Sequence, residues 1–240
     1  MTEVRIGTSG FTYGHWRNIF YPNDLPIRDF LKWYSQRFDT VEINSSFYHL
    51  PRETTYKNWY ATTPKNFLFA LKASRFITHI KKLHDCQEPL QTFLERAKIL
   101  KEKLGPILFQ VSPFWKCNLG RLGEFLRCIP KDVNATFEFR HESWFSQEVY
   151  ETLGKRNISL TIADTPSYPM VERLTADFIY IRLHGHEHLY ASDYTEEELQ
   201  VWASKINKWK KMVKIIYVYF DNDAWGFAVK NAIRLKELLS

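Results

Sequence analysis

The chain has 240 residues, 45% hydrophobic and 25% charged, with nine glycines and ten prolines. That excludes a disordered or collagen-like chain and suffices for one large core, so a single domain over residues 1–240 is expected. Net charge is +6, from 33 basic and 27 acidic residues, a modest excess compatible with an anionic ligand or with nucleic acid.

Cys86, Cys117 and Cys128 form no C-x-x-C pair, which fits free thiols in a reducing compartment. Met1 leads straight into a strand, without the basic and apolar regions of a signal peptide. No apolar run reaches the roughly 18 residues of a membrane span. A cytoplasmic protein without a membrane partner is expected.

In chain order, Val4–Thr8 reads as the first strand, followed by a loop with Phe11, Tyr13, Trp16, Phe20 and Tyr21. A helix runs from Asp24 and Pro26 through Phe38. Thr40–Asn44 is the second strand, with a short helix near Glu53–Ala61. Phe67–Lys72 is the third, and Ala73–Gln87 is a long basic loop of the kind that often serves as a lid. The next helix starts at Pro89 and stops at Gly105-Pro106. Ile107–Val111, Thr136–Arg140 and Ser159–Ala163 are strands four to six, with helices near Leu119–Cys128 and Ser146–Arg156 between them. Phe178–Gly185 is the seventh strand. Thr195-Glu-Glu-Glu198 forms a capping box for the helix carrying Leu199, Trp202, Ile206 and Trp209. Lys214–Asp221 is the eighth strand, and a helix from about Trp225 to Leu239 closes the chain.

Strands alternating with helices predict a parallel sheet, and eight such units predict an α/β fold of the (β/α)8 TIM-barrel type, with eight parallel strands inside outer helices. Residues 165–177 leave room for only a degenerate helix. An open doubly wound sheet is the alternative, but no glycine-rich phosphate fingerprint follows a strand.

Three strands share one pattern. Tyr180, Arg182 and His184 alternate with Ile179, Ile181 and Leu183; Thr136, Glu138 and Arg140 alternate with Phe137 and Phe139; Tyr217, Tyr219 and Asp221 alternate with Ile216, Val218 and Phe220. Period two puts each set on its own face. The apolar faces would meet helices, and the charged ends would converge at one mouth, where barrel active sites lie.

Reading the strand ends gives the candidate site. Glu42, Glu138, Asp164, His184 and Asp221 are the catalytic candidates. Thr8, Ser9, Asn44, Lys72, Gln110, Arg140, Arg182 and Asn222 are candidates for substrate binding, with Trp16, Tyr48 and Trp144 in the aromatic loops for stacking. Arg140 beside Glu138 should keep that carboxylate ionised. Arg182 and Lys72 suit a phosphate or carboxylate. His184 can serve as an acid or base near neutrality. The competing structural reading is an ion-pair lattice plugging the interior, against which stands the desolvation of each ion.

His184-Gly-His186-Glu-His188 lacks the i, i+4 helical spacing of a zinc motif. Glu42, Glu138, Asp164, His184 and Asp221 are ligand types that a divalent ion accepts, but no metal or other cofactor is assigned. The sequence does not fix the oligomeric state.

Ile6-Gly-Thr-Ser-Gly-Phe11, Val41-Glu-Ile-Asn-Ser-Ser-Phe-Tyr48 and Phe69-Ala-Leu-Lys-Ala-Ser-Arg-Phe-Ile-Thr-His79 are among several segments that resemble the YecE-like family, an uncharacterised family of TIM-barrel proteins formally called domain of unknown function 72. Glu138-Phe-Arg-His-Glu-Ser-Trp144, Tyr180-Ile-Arg-Leu-His-Gly185 and Tyr217-Val-Tyr-Phe-Asp-Asn-Asp223 belong to the same set. The resemblance spans essentially the whole chain. It implies the barrel and supplies no reaction. Similarity between such barrels and metal-dependent apurinic endonucleases suggests nucleic acid by analogy of fold. The leading expectation is an enzyme, a hydrolase or lyase, acting on a phosphorylated or otherwise anionic sugar or nucleotide. The alternatives are a nucleic-acid-binding protein or endonuclease-like hydrolase, a glycosidase using Glu42 and Glu138, and a non-catalytic ligand-binding barrel.

Overall fold

In the computed structural model, which describes residues 2–240, strands and helices alternate along the chain. The strands are β1 (Glu3–Thr8), β2 (Thr40–Ile43), β3 (Leu68–Lys72), β4 (Leu104–Gln110), β5 (Ala135–Glu138), β6 (Ser159–Leu160), β7 (Ile162–Asp164), β8 (Phe178–Leu183) and β9 (Ile215–Phe220). The α-helices are α1 (Phe30–Tyr34), α2 (Ser45–Tyr48), α3 (Glu53–Thr62), α4 (Gln87–Ala97), α5 (Leu119–Cys128), α6 (Gln147–Gly154), α7 (Glu196–Trp209) and α8 (Phe227–Leu238).

All strand pairs are parallel, in an α/β arrangement of two sheets. One has four strands, in the order β1-β9-β8-β7; the other has five, β2-β3-β4-β5-β6. The single eight-stranded sheet expected from the alternation is therefore divided. The first division falls inside the expected sixth strand. Thr161 separates β6, which pairs with β5, from β7, which pairs with β8. The second falls between β1 and β2, joined by the isolated parallel bridge of Ser9 with Glu42. Gly7 lies at this seam, where a Cβ would collide with the Thr40 carbonyl, so the two strands approach only because glycine is there.

The apolar faces behave as the alternation predicts. Ile179, Ile181, Leu183, Ile216, Val218, Phe220, Phe137 and Phe139 are buried in one large cluster with the helix residues. A second, smaller cluster holds the opposite faces: Ala70, Leu108, Phe178, Tyr180, Tyr217 and Tyr219. Both sheets contribute to it, so they enclose a common interior. Thr40 of one sheet bonds Tyr219 of the other across it at 2.7 Å.

Helix boundaries differ from the sequence reading in ways the backbone explains. The helix expected up to Phe38 is a 3-10 turn, Ile27–Asp29, followed by the short α1. The one expected up to Gly105 stops as α4 at Ala97 and continues as a 3-10 segment broken at Lys101, where φ is 50°. The basic loop expected as a lid contains a π-helical turn, Phe76–Ile80, with Ile77 and Thr78 buried. The capping box is present: Glu198 N donates to Thr195 Oγ1 at 3.3 Å, and Thr195 N to Glu198 Oε2 at 2.8 Å.

Candidate functional site

The ends of β2, β5, β8 and β9 carry Glu42, Glu138, Arg182 and Asp221 into one cluster, because each occupies the inner-facing register of its strand. Arg182 is its centre and is 0% exposed. Its Nη2 donates to Glu42 Oε1 at 2.7 Å and its Nε to Glu42 Oε2 at 2.9 Å. Nη1 donates to Glu138 Oε2 at 2.7 Å, and Nη2 also reaches Asp221 Oδ2 at 2.9 Å. Three carboxylates thus surround one guanidinium, and the planar fork meets Glu42 in bidentate fashion.

Neighbours satisfy the remaining oxygens. Tyr180 OH donates to Glu42 Oε2 at 2.6 Å, and Ser9 Oγ donates to Glu42 Oε1. Asn44 Nδ2 donates to Ser9 Oγ at 2.6 Å. Glu138 Oε1 accepts from Gln110 Nε2 and Arg140 Nε, both at 2.8 Å, and from Tyr168 OH at 3.2 Å.

His184 is buried in the same cluster, with Nδ1 2.9 Å from Asp221 Oδ2 and Nε2 3.2 Å from Arg182 Nη1. Arginine can only donate, so Nε2 is the accepting nitrogen in that contact.

Burial pushes the Glu138 carboxyl up, but Arg182 and Arg140 outweigh it and hold the group well below the usual carboxylate range. Asp221 follows the same pattern: burial opposes its charge, Arg182 and His184 favour it, and its pKa falls to about 2. Burial disfavours the Arg182 charge, yet Glu42, Asp221 and Glu138 hold its pKa well above normal. Glu138, Asp221 and Arg182 are therefore all charged near neutral pH.

Lys72 and Arg140 stand at the edge of this cluster and are only half-buried. Arg140 gives one donor to Glu138; its Nη2 is buried without a hydrogen-bond partner, and its guanidinium lies 4.9 Å from the Tyr168 ring centre. Lys72 ends β3, with Nζ 4.5 Å from the Phe47 ring centre. Among the described residues it enters no ion pair. Burial, then Arg182, lowers its pKa to about 8, with Glu138, Asp221 and Glu42 opposing. Nearby His79 is lowered to about 4 by burial, Lys72 and Arg140.

Several expected residues lie elsewhere. Asp164 pairs in register with Leu183, on the helix-facing side, and accepts from Tyr194 OH at 3.1 Å. Thr8 pairs with Phe220 and bonds Tyr34 OH at 3.0 Å. Asn222 donates to Ser192 O and Asn231 Oδ1, both at 2.8 Å, tying β9 to α8. All three have the wrong parity for the interior. Trp16 and Trp144 are 0% exposed: Trp16 donates to Asp223 O at 3.1 Å, and Trp144 stacks on Phe139 with ring centres 4.5 Å apart. Neither has a face free for a ligand, whereas Tyr48, Phe114 and Trp225 are exposed.

Arg182 also departs from its expected role as an anion clamp, since carboxylates occupy its donors. The divalent-ion reading meets the same obstacle: the guanidinium occupies the centre a cation would take among Glu42, Glu138 and Asp221. Among the described residues no group of three or more His, Cys, Asp or Glu is disposed to hold a metal ion. Beyond the cluster, His186 pairs with Glu198 at 3.0 Å. Tyr180, Tyr168 and Tyr190, the last with its ring centre 5.6 Å from that of His184, were absent from the candidate set. Tyr180 was legible from its inner-face parity; Tyr168 and Tyr190 sit in irregular segments that periodicity does not reach.

Among the described residues no helix is long and apolar enough to cross a membrane.

Comparison with known proteins places these features in a wider set. The chain is 30% identical to a Thermotoga maritima DUF72 family protein of known crystal structure, with a TM-score of 0.91 and 99% of both chains covered. It is 27% identical to UPF0759 protein YunF of Bacillus subtilis, over 98% of this chain and 94% of that one. It is also 27% identical to UPF0759 protein YecE of Escherichia coli K12, over 75% and 74%. The family model described as "Protein of unknown function DUF72" matches residues 5–240, so the YecE-like resemblance holds and the chain belongs to the DUF72 family.

Proposed function

We propose that this chain is a single-domain enzyme, a hydrolase or lyase, built as one barrel from the two sheets and acting on a small anionic substrate of the phosphorylated sugar or nucleotide type. The observation that carries the reading is the pair of cations, Lys72 and Arg140, at the edge of a cluster whose carboxylates already take their hydrogen bonds from Arg182 and its neighbours. Arg182 answers one of the three carboxylates Glu42, Glu138 and Asp221, while Arg140 and Lys72 supply the other two positive charges. Lys72 enters no ion pair among the described residues, and Arg140 Nη2 has no hydrogen-bond partner. An anion bridging these two groups would gain charge-assisted hydrogen bonds without displacing any carboxylate.

In this reading Arg182 is a positioning residue. It fixes Glu138, which in turn aims Arg140. A glycosidase mechanism is disfavoured because Glu138, held ionised, cannot serve as the acid that protonates a leaving group. The nucleic-acid alternative retains Tyr48, Phe114 and Trp225 as exposed stacking surfaces, and its binding should fall steeply with salt.

Thermal stabilisation by inorganic phosphate tests the anion site. Phosphate also stabilises proteins by exclusion from their surface, so the comparison is between wild type and Arg140→Leu. A saturable rise in Tm that Arg140→Leu abolishes supports the site. Identical shifts in both proteins defeat it.

A further inference from the structure

We infer that Lys72 is an amine nucleophile that condenses with the carbonyl of an anionic aldehyde or ketone to form an imine. This deepens the anion-site reading and rests on it for the charge of the substrate.

The geometry favours Lys72 over the other lysines. It terminates β3 on the same inner-facing register as Ala70, so the side chain rises from the apolar interior toward the ion cluster. Its backbone is anchored, since the Lys72 main-chain carbonyl accepts from Ser46 Oγ at 2.7 Å, and its amine lies against the buried Phe47 ring. Among the described residues no carboxylate pairs with it. Arg140, with its unpartnered Nη2, is the other cation at this edge. An amine in partly desolvated surroundings beside other cations is the environment that activates lysine for carbonyl chemistry. With a pKa of about 8, roughly a tenth of Lys72 is neutral at pH 7, against well under a thousandth of an ordinary surface lysine.

The step balances as follows. The Nζ lone pair attacks the carbonyl carbon, and the carbonyl oxygen takes up a proton as the C–N bond forms. The resulting hydroxyl leaves as water, whose two hydrogens are in net those lost from the amine, and C=N remains. Arg140 would hold the substrate's anionic group.

The test uses two probes, glycolaldehyde and glycolaldehyde phosphate, each with sodium cyanoborohydride, and peptide mapping to locate reduced adducts. Imine formation at Lys72 predicts labelling there at least tenfold faster than at exposed lysines such as Lys65 and Lys131, with a rate that rises toward pH 8. Faster labelling by the phosphorylated probe, suppressed by inorganic phosphate, supports both the amine and the anion site. Equal labelling of Lys72 by both probes, insensitive to phosphate, keeps the amine and removes the anion reading. Phosphate stabilisation that requires Arg140, combined with Lys72 labelling no faster than surface lysines, overturns this inference and leaves the anion site standing. All lysines compete within one folded protein, so the outcome does not depend on whether a Lys72 variant folds.

Discussion

Arg182 and Glu42 form a bidentate pair, Nη2 to Oε1 at 2.7 Å and Nε to Oε2 at 2.9 Å, with both side chains fully buried. The pair joins the four-stranded sheet to the five-stranded one. Removing the guanidinium would leave Glu42, Glu138 and Asp221 mutually repelling with little water to screen them. Arg182→Met is expected to destabilise the protein by about 4 kcal/mol or more, the range for a broken buried pair. Arg182→Lys should recover little, because one ammonium cannot reproduce the planar fork. Urea denaturation measures both, and a loss below about 1 kcal/mol in Arg182→Met would show that the cluster tolerates the missing charge.

Acid should expose the same network. Glu138 and Asp221 have folded-state pKa values below those of an unfolded chain. The stability they contribute is fully present above the unfolded value of about 4 and is lost as pH falls through the folded one. For Asp221 that window runs down to about 2, and its share is about 2 kcal/mol. Urea midpoints should therefore fall steeply between about pH 4 and 2. Equal midpoints at about pH 6 and 3 would contradict the cited shifts.

Lys72 has the opposite sign. Its folded pKa, about 8, lies below the unfolded value of about 10.4. Between these values the unfolded chain binds more protons, so this group makes stability rise with pH. Lys72→Met should remove that slope and raise stability at neutral pH by about 1 kcal/mol, a figure reduced for partial screening by water. Stability curves of the two proteins between about pH 7 and 10 decide the matter. A parallel pair of curves would mean that the amine is not desolvated.

Away from the site, Lys103 Nζ donates to Tyr60 O at 2.6 Å, Thr63 O at 2.7 Å and Thr63 Oγ1 at 3.1 Å. It caps the last turn of α3 from inside the protein. Lys103→Met should cost about 2–3 kcal/mol by stranding buried carbonyls. Calorimetry should show the corresponding drop in Tm. An unchanged Tm would assign α3 another cap.

The cluster was legible in the sequence because strict alternation fixes side-chain direction. Glu42, Glu138, Arg182, His184 and Asp221 each share parity with inner-facing neighbours, and all five meet. Thr8, Asp164 and Asn222 were misplaced because nearness to a strand end was counted without parity; Asp164 alternates with Ala163, which pairs with Arg182. Trp16 and Trp144 follow strands in sequence but fold back onto the outer core, a tertiary choice that no local pattern encodes. The division at Thr161 was equally hidden, since Ile158-Ser-Leu-Thr-Ile162 alternates without a break. The charge balance of Arg182 was beyond reach for a different reason: it depends on which carboxylates come within about 3 Å, and chain order does not give that.

The partners of Arg182 are remote along the chain, lying 140, 44 and 39 residues away at Glu42, Glu138 and Asp221. No early hairpin or helix pair can shelter any of them. Each ion must stay hydrated until strands from the first and last quarters of the polypeptide have closed together, so drying of the centre belongs to the end of folding, after most loop-closure entropy is spent. Truncated chains that stop before Ile215 are accordingly expected to remain swollen and wet at their middle, however much helix they form.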